Sequence, residues 1–178
     1  MLAMAGNHWR RRLDGKGPMT APKSSSPLAA IARESLGGMR VEHKGYKVAE
    51  DVRYHKEHMW ARREGELVVV GVTDFAQRLA GDIVYVDMPM EGDPVTKDKP
   101  FGTIETGKWV GKLYAPVDGE VVAYNESVED DALIINEDPY GKGWVIKVRP
   151  TDPSEYDRLL AVADYTPIMD AKLKELGK

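Results

Sequence analysis

From about Gly45 onward, short apolar runs alternate with clusters of glycine, proline and acidic residues. Tyr54 to Arg63 reads as an extended segment, Glu64-Gly65-Glu66 as a turn, and Leu67–Val72 as the strand that completes a hairpin. Thr73-Asp74-Phe75-Ala76-Gln77 opens a short helix. Thr73 or Asp74 can cap it, and Gln77 stands three residues after Asp74 as in a capping box. Gly81 ends it after about two turns. Asp82–Asp87 follows as a strand, Pro89–Val95 as a turn, and Pro100–Glu105 as a further strand. Gly119–Tyr124 and Trp144–Arg149 are the last β runs. Asp152-Pro153-Ser154-Glu155 opens a helix through about Leu160. Thr166-Pro167 opens another, with proline at its first position and Met169, Leu173 and Leu176 on one face.

An internal repeat runs through the middle of this pattern. Gly81-Asp82-Ile83-Val84-Tyr85-Val86 matches Gly119-Glu120-Val121-Val122-Ala123-Tyr124, and the same offset lays Glu91-Gly92-Asp93 on Glu129-Asp130-Asp131. Two such halves predict a mainly β fold, a pseudo-symmetric flattened barrel or sandwich of short antiparallel strands with helices outside.

Composition narrows the chemistry. The 178 residues carry a net charge of −4, which weighs against nucleic acid as a partner. No apolar run is long enough to span a bilayer, so no membrane partner is expected. The chain has no cysteine, so any thiol chemistry needs an attached group. Residues 1–50 hold 9 basic and 4 acidic side chains; the remainder holds 16 and 25. Residues 1–45 also include Arg10-Arg11-Arg12 and a Pro/Ser-rich stretch, so they are expected to be a disordered extension ahead of a domain over 46–178. The expectation is a cytoplasmic bacterial protein, with a mitochondrial transit peptide as the alternative reading of 1–45.

Lys108 stands out by its setting. One apolar strand leads up to Gly107-Lys108, a second apolar run, Leu113–Val117, leads away, and Glu105 lies three residues before it. That arrangement displays one primary amine at a hairpin tip, where it can carry a covalently attached cofactor. Gly102 to Lys108 also fits the first part of a nucleotide-binding P-loop. Trp109 occupies the position that needs a hydroxyl, and breakers replace the required helix, so this match is read as chance. His55 and His58, with Glu57 between them, are three apart on an extended segment. Such positions face opposite ways, so no metal site is expected there.

Over Tyr54–Tyr165 the chain resembles the glycine cleavage H-protein family of lipoyl carriers. The matching stretches are Lys56-Glu57-His58-x-Trp60, Gly71-Val72-Thr73-Asp74-x-Ala76-Gln77, Gly81-Asp82-Ile83-Val84, Glu105-x-x-Lys108, Tyr114-Ala115-Pro116-Val117-x-Gly119-Glu120-Val121, Asn136–Tyr140 and Gly143-Trp144-x-Ile146-Lys147. The resemblance implies a lipoyl-domain fold (a barrel-sandwich hybrid), a non-enzymatic carrier, and lipoate in amide linkage to Lys108. It implies that Glu105 and Gly107 shape recognition by a lipoylating enzyme, and that Met59, Phe75 and Trp109 form an apolar bed for the arm. The implied partners are a lipoate ligase or lipoyl transferase, a dihydrolipoamide dehydrogenase, and the complex that loads the arm.

Five positions depart from the family pattern. Met59 stands where glycine-cleaving members have a glutamate that helps hold a cationic aminomethyl cargo. Phe75 stands where a histidine is common, and Glu105-Thr106-Gly107-Lys108-Trp109 replaces Glu-Ser-Val-Lys-Ala. Trading a carboxylate for a thioether removes a charge-assisted partner. These departures are similar to the H-like lipoate-binding proteins of bacterial sulfur oxidation. The favoured expectation is therefore a carrier serving a heterodisulfide-reductase-like complex. Glycine cleavage, with glycine decarboxylase and aminomethyltransferase as partners, is the alternative.

Overall fold

The computed structural model describes residues 38–178. Its elements are β1 (Arg40–His43), β2 (Tyr46–Ala49), β3 (Arg53–Tyr54), β4 (Met59–Glu64), β5 (Leu67–Val72), α1 (Asp74–Ala80), β6 (Ile83–Asp87), β7 (Pro94–Val95), β8 (Pro100–Thr106), β9 (Val110–Tyr114) and β10 (Gly119–Tyr124). They continue with α2 (Glu126–Asp130), α3 (Ile134–Glu137), β11 (Trp144–Pro150), α4 (Ser154–Asp157) and α5 (Val162–Glu175). The fold is mainly β, as expected. A six-stranded antiparallel sheet runs in the order β3-β4-β5-β11-β10-β7, and a three-stranded sheet in the order β6-β8-β9. The sheets do not close into a barrel.

Strand β5 explains how the core is divided. Its unbroken apolar run is buried on both faces. Val68, Val70 and Val72 point into a core shared with Met59, Ile83, Val86, Ile104, Leu113 and Val121. Val69 faces the other way, into a second core with Tyr54, Trp60, Phe75, Tyr140, Tyr165 and Met169. Alternation along β4 follows the same rule, with Met59 and Ala61 in the first core and Trp60 in the second. The second core is anchored by polar tips. Trp60 Nε1 donates to Pro139 O at 2.9 Å, Tyr54 Oη to Ala49 O at 2.7 Å, and Tyr140 Oη to Lys47 O at 2.8 Å.

Several sequence expectations shift in the structure. Of the extension read over residues 1–45, residues 1–37 lie outside the described residues. Its end is ordered: β1 pairs with β2 through Lys44-Gly45, both at positive φ (50° and 85°), as a two-residue hairpin turn requires. Tyr54–Arg63 is not continuously extended, because His55–His58 forms a turn closed by His58 N donating to His55 O at 3.0 Å. Helix α5 begins at Val162, four residues before Thr166, and Pro167 lies inside it. The cause is Tyr165, which is fully buried and stacks on Tyr54 at 4.3 Å, drawing the preceding residues into the helix. Pro167 then removes only one backbone bond, at the second turn. Met169 and Leu173 are buried as expected, whereas Leu176 is exposed. The repeat holds for its strands but not for its turns, since Glu129 and Asp130 belong to α2. No helix among the described residues is long and apolar enough to cross a membrane.

Candidate functional site

Strands β8 and β9 form the hairpin that carries Lys108. Thr106 holds its tip: the Thr106 amide donates to Trp109 O at 3.0 Å, and Thr106 Oγ1 accepts from the amides of Lys108 and Trp109, each at 3.3 Å. Gly107, Lys108 and Trp109 are all exposed. The strand after Lys108 rules out the helix that a nucleotide-binding loop needs, so the match at Gly102–Lys108 is coincidental. Gly107 is not at positive φ, and a Cβ there would meet nothing within 4 Å. The turn therefore does not demand glycine.

Trp109 folds back along its own strand. A Cβ on Gly111 would fall within the Trp109 indole, so the ring lies against bare backbone at Gly111. In this position Trp109 separates two hollows and lines both. One is lined by Arg78, Gly81, Val84, Thr106, Gly107 and Lys108. The other is a cleft of about 330 Å³ whose walls include Met59, Val72, Ala76, Leu79, Ile104 and Leu113. Leu79 is also shared by the two, which sets Lys108 at the doorstep of the cleft.

Helix α1 supplies one wall of that cleft, and its placement is specified locally. Thr73 caps it by accepting from the Ala76 amide at 3.1 Å. Gln77 bonds Asp74 at 2.9 Å instead of closing a reciprocal capping box. Gly81, at φ 82°, ends the helix in a conformation that disfavours side chains. Asn136 then ties helix to strand, donating to Gln77 Oε1 and Gly81 O and accepting from the Ile83 amide at 2.9 Å.

The cleft lining also carries polar groups: Glu57, His58, Lys112 and Lys172. Nothing in their local sequence groups these four, because their shared position comes from the β3–β4 turn, β9 and α5 meeting in space. His58 sits at φ 65°, a left-handed conformation unusual for a side chain. Its Nδ1 lies 2.8 Å from Tyr165 Oη, and its ring packs against Phe75 at 5.0 Å. Burial, then the Lys172 ammonium and then His55, push its pKa down to about 4, so it is neutral near pH 7. His55 is buried and spends its ring on Asp98 at 2.6 Å and the Glu57 amide at 3.1 Å. The two histidines thus serve different contacts on opposite sides of the turn.

The structure brings together only some of the residues expected around the arm. Met59 and Trp109 meet at the cleft, and Lys108 and Gly107 adjoin it. Glu105 lies on the outer face of the three-stranded sheet, paired with Tyr85 and Val110. Phe75 does not line the cleft. It is 1% exposed and packs edge-on against Tyr46 at 4.9 Å, behind the wall formed by His58. A helix residue followed by a half-buried alanine turns its side chain into the second core, which its neighbours in sequence do not reveal.

The family model for the glycine cleavage H-protein matches residues 52–172. The chain belongs to the glycine cleavage H-protein family. A glycine cleavage system H protein from Anaeromyxobacter sp. (strain K) is 46% identical over 124 residues, covering 70% of this chain and 97% of that relative. One from Bacillus licheniformis is 47% identical over 116 residues, 65% of this chain and 91% of its own length. Among solved structures, the crystal structure of a glycine cleavage system H protein from Mycobacterium marinum aligns with a TM-score of 0.61 at 31% identity. It covers 74% of this chain and all of that one. Family members are carriers without catalytic activity of their own, and they bear lipoate covalently on a lysine. The residues present suit that group: an exposed amine at a hairpin tip beside a largely apolar cleft, in a chain with no thiol of its own.

Proposed function

We propose that this chain is a lipoyl carrier of the glycine cleavage type, acylated on Lys108. The observation that carries the reading is the adjacency of the Lys108 hairpin tip to the apolar cleft, through the shared walls Leu79 and Trp109. Bound lipoate supplies a disulfide that can open and hold a group on sulfur. The chain's own residues present and shelter it. Met59, Val72, Ile104 and Leu113 exclude water, Trp109 forms the partition, and Glu57 offers a carboxylate that a cationic cargo can meet. Glycine decarboxylase, aminomethyltransferase, a lipoate ligase and dihydrolipoamide dehydrogenase are the partners this reading assigns. The names of the similar relatives favour it over the sulfur-oxidation reading.

One observation supports a second reading. Met59, which replaces the family's usual carboxylate, lines the cleft, and Lys112 and Lys172 stand there against a single Glu57. A cleft of that charge suits a neutral or anionic cargo, as a heterodisulfide-reductase-like complex of sulfur oxidation would load. Offering the lipoylated protein to glycine decarboxylase separates the readings. Glycine-dependent loading at a rate within about tenfold of an established H protein supports glycine cleavage; no loading refutes it.

A further inference from the structure

Asp98 holds a backbone conformation that is costly for a side chain. It is the third residue of the turn over residues 96–99, closed by the Lys99 amide donating to Thr96 O at 3.0 Å, and its φ is 64°. Glycine or asparagine is usual at such a position. Strained residues persist where surrounding contacts over-determine them. Here the contact is a side-chain bond: Asp98 Oδ1 lies 2.6 Å from His55 Nε2. His55 Nδ1 accepts from the Glu57 amide at 3.1 Å, so the ring carries its proton on Nε2 and donates it to Asp98.

The two partners belong to opposite walls of the cleft. His55 begins the turn that gives the cleft Glu57, His58 and Met59. That turn is shut by the His58 amide on His55 O at 3.0 Å and the His55 amide on Met59 O at 2.9 Å. Asp98 leads into β8, which with β9 gives the cleft Ile104, Lys112 and Leu113. The Asp98 amide donates to Ala115 O at 2.9 Å and the Ala115 amide to Lys99 O at 3.0 Å, which fastens the Asp98 turn to the end of β9. The His55 ring also lies nearly parallel to Tyr114, with centroids 6.3 Å apart. Tyr114 stands two residues beyond Lys112 on β9, on the same side of the strand. His55 is 3% exposed, so its contacts with the second sheet are closed to water.

We propose that the His55–Asp98 pair is a clasp that sets the gap between the two walls of the cleft, and through it the shelter given to the arm; the proposal rests on the reading of that cleft as the shelter of a lipoyl arm on Lys108. Both are positioning residues, and neither lines the cleft. Their bond is charge-assisted, since the hydrogen bond from His55 is the chief influence holding Asp98 below the usual carboxylate range. Without it, the β3–β4 turn keeps its own backbone bonds but loses its tie to the second sheet. The wall bearing Glu57, His58 and Met59 then moves away from β9, and the arm spends more of its time in water.

The chain has no cysteine, so the thiols of a reduced lipoyl arm are the only thiols in the acylated protein. The test acylates the full chain on Lys108, reduces the arm, and follows its alkylation by iodoacetamide through intact mass. The wild-type arm is expected to react about tenfold more slowly than free dihydrolipoamide. Asp98→Gly removes the acceptor and also the left-handed cost. Its melting temperature is expected to stay within about 3 °C of wild type while the arm reacts about three- to tenfold faster. His55→Phe, which keeps a ring beside Tyr114, gives the same acceleration, and the double variant adds nothing to it. Asp98→Asn keeps an acceptor, tolerates the left-handed backbone and returns wild-type reactivity. A sheltered wild-type arm with unchanged rates in Asp98→Gly and His55→Phe overturns the clasp alone. Rates that rise only in step with falling melting temperatures, Asp98→Asn included, make the pair a general structural tie and overturn the positioning role. A wild-type arm that reacts as fast as free dihydrolipoamide overturns the sheltering reading and the clasp with it.

Discussion

The indole of Trp109 lies against the backbone of Gly111, in the space a Cβ there would occupy. This contact holds the ring as the partition between the Lys108 hollow and the cleft. Gly111→Ala is expected to swing the ring outward. Because the ring is 43% exposed, the cost is about 1 kcal/mol or less, below that of overpacking a closed core. The check is the Trp109 indole N–H resonance, which shifts in Gly111→Ala. In a Trp109→Ala background, Gly111→Ala becomes silent in thermal melts, as a two-residue cycle requires.

Gly107 gives the opposite expectation. Its φ is not positive and its Cβ direction is open, so Gly107→Ala leaves the melting temperature within about 2 °C of wild type. A large loss of stability would show that the hairpin tip needs a glycine conformation after all.

His58 gives the fold a pH dependence with a defined sign. Its pKa in the folded protein is lowered to about 4 from an ordinary 6.5, chiefly by burial. Above about pH 6.5 the histidine is neutral in both folded and unfolded chains and contributes no pH slope. Between about 6.5 and 4 the unfolded chain takes up the proton first, so stability falls as pH falls, by an order of 2–3 kcal/mol in total. Asp98 and Asp170, held below the usual carboxylate range by His55 and His43 respectively, add their own losses at more acidic pH. His58→Asn, which accepts the left-handed backbone, is expected to flatten the urea-derived stability curve between pH 6.5 and 4. An unaltered slope would remove His58 as its source.

Glu57 is the carboxylate among the cleft residues. If the cargo is cationic, Glu57→Gln shortens the half-life of the loaded carrier by about three- to tenfold, a modest effect because the residue is exposed. Acylation of Lys108 by a ligase is expected to be unaffected. A neutral or anionic cargo would make Glu57→Gln silent or mildly protective, so the half-life of the loaded protein bears directly on which pathway the arm serves.

Where the sequence was legible, one dominant physical pattern decided each element. The β-branched run Leu67–Val72 and the run Gly119–Tyr124 become strands with those bounds. Thr73 and Gly81 do bracket α1. The start of α5 was hidden because its cause, stacking of Tyr165 on Tyr54, joins residues 111 positions apart. The left-handed turn at His58 was hidden because it uses a histidine where glycine or asparagine is usual. Near the candidate site, the hairpin that displays Lys108 is evident from local order alone. The cleft is not: Met59, Leu79, Ile104 and Lys172 come from four separate elements, and Phe75, which looked equivalent to Met59, turns into the other core.

Modification of Lys108 is the claim on which the account depends most directly. Full-length protein should be incubated with lipoate, ATP and a lipoate ligase, then digested and mapped by mass. The account predicts one lipoyl group per chain, located on the peptide containing Lys108, and none on Lys108→Arg protein. Acylation distributed over Lys97, Lys99 or Lys112, or a chain that stays unmodified while an established H protein is modified alongside it, would contradict it.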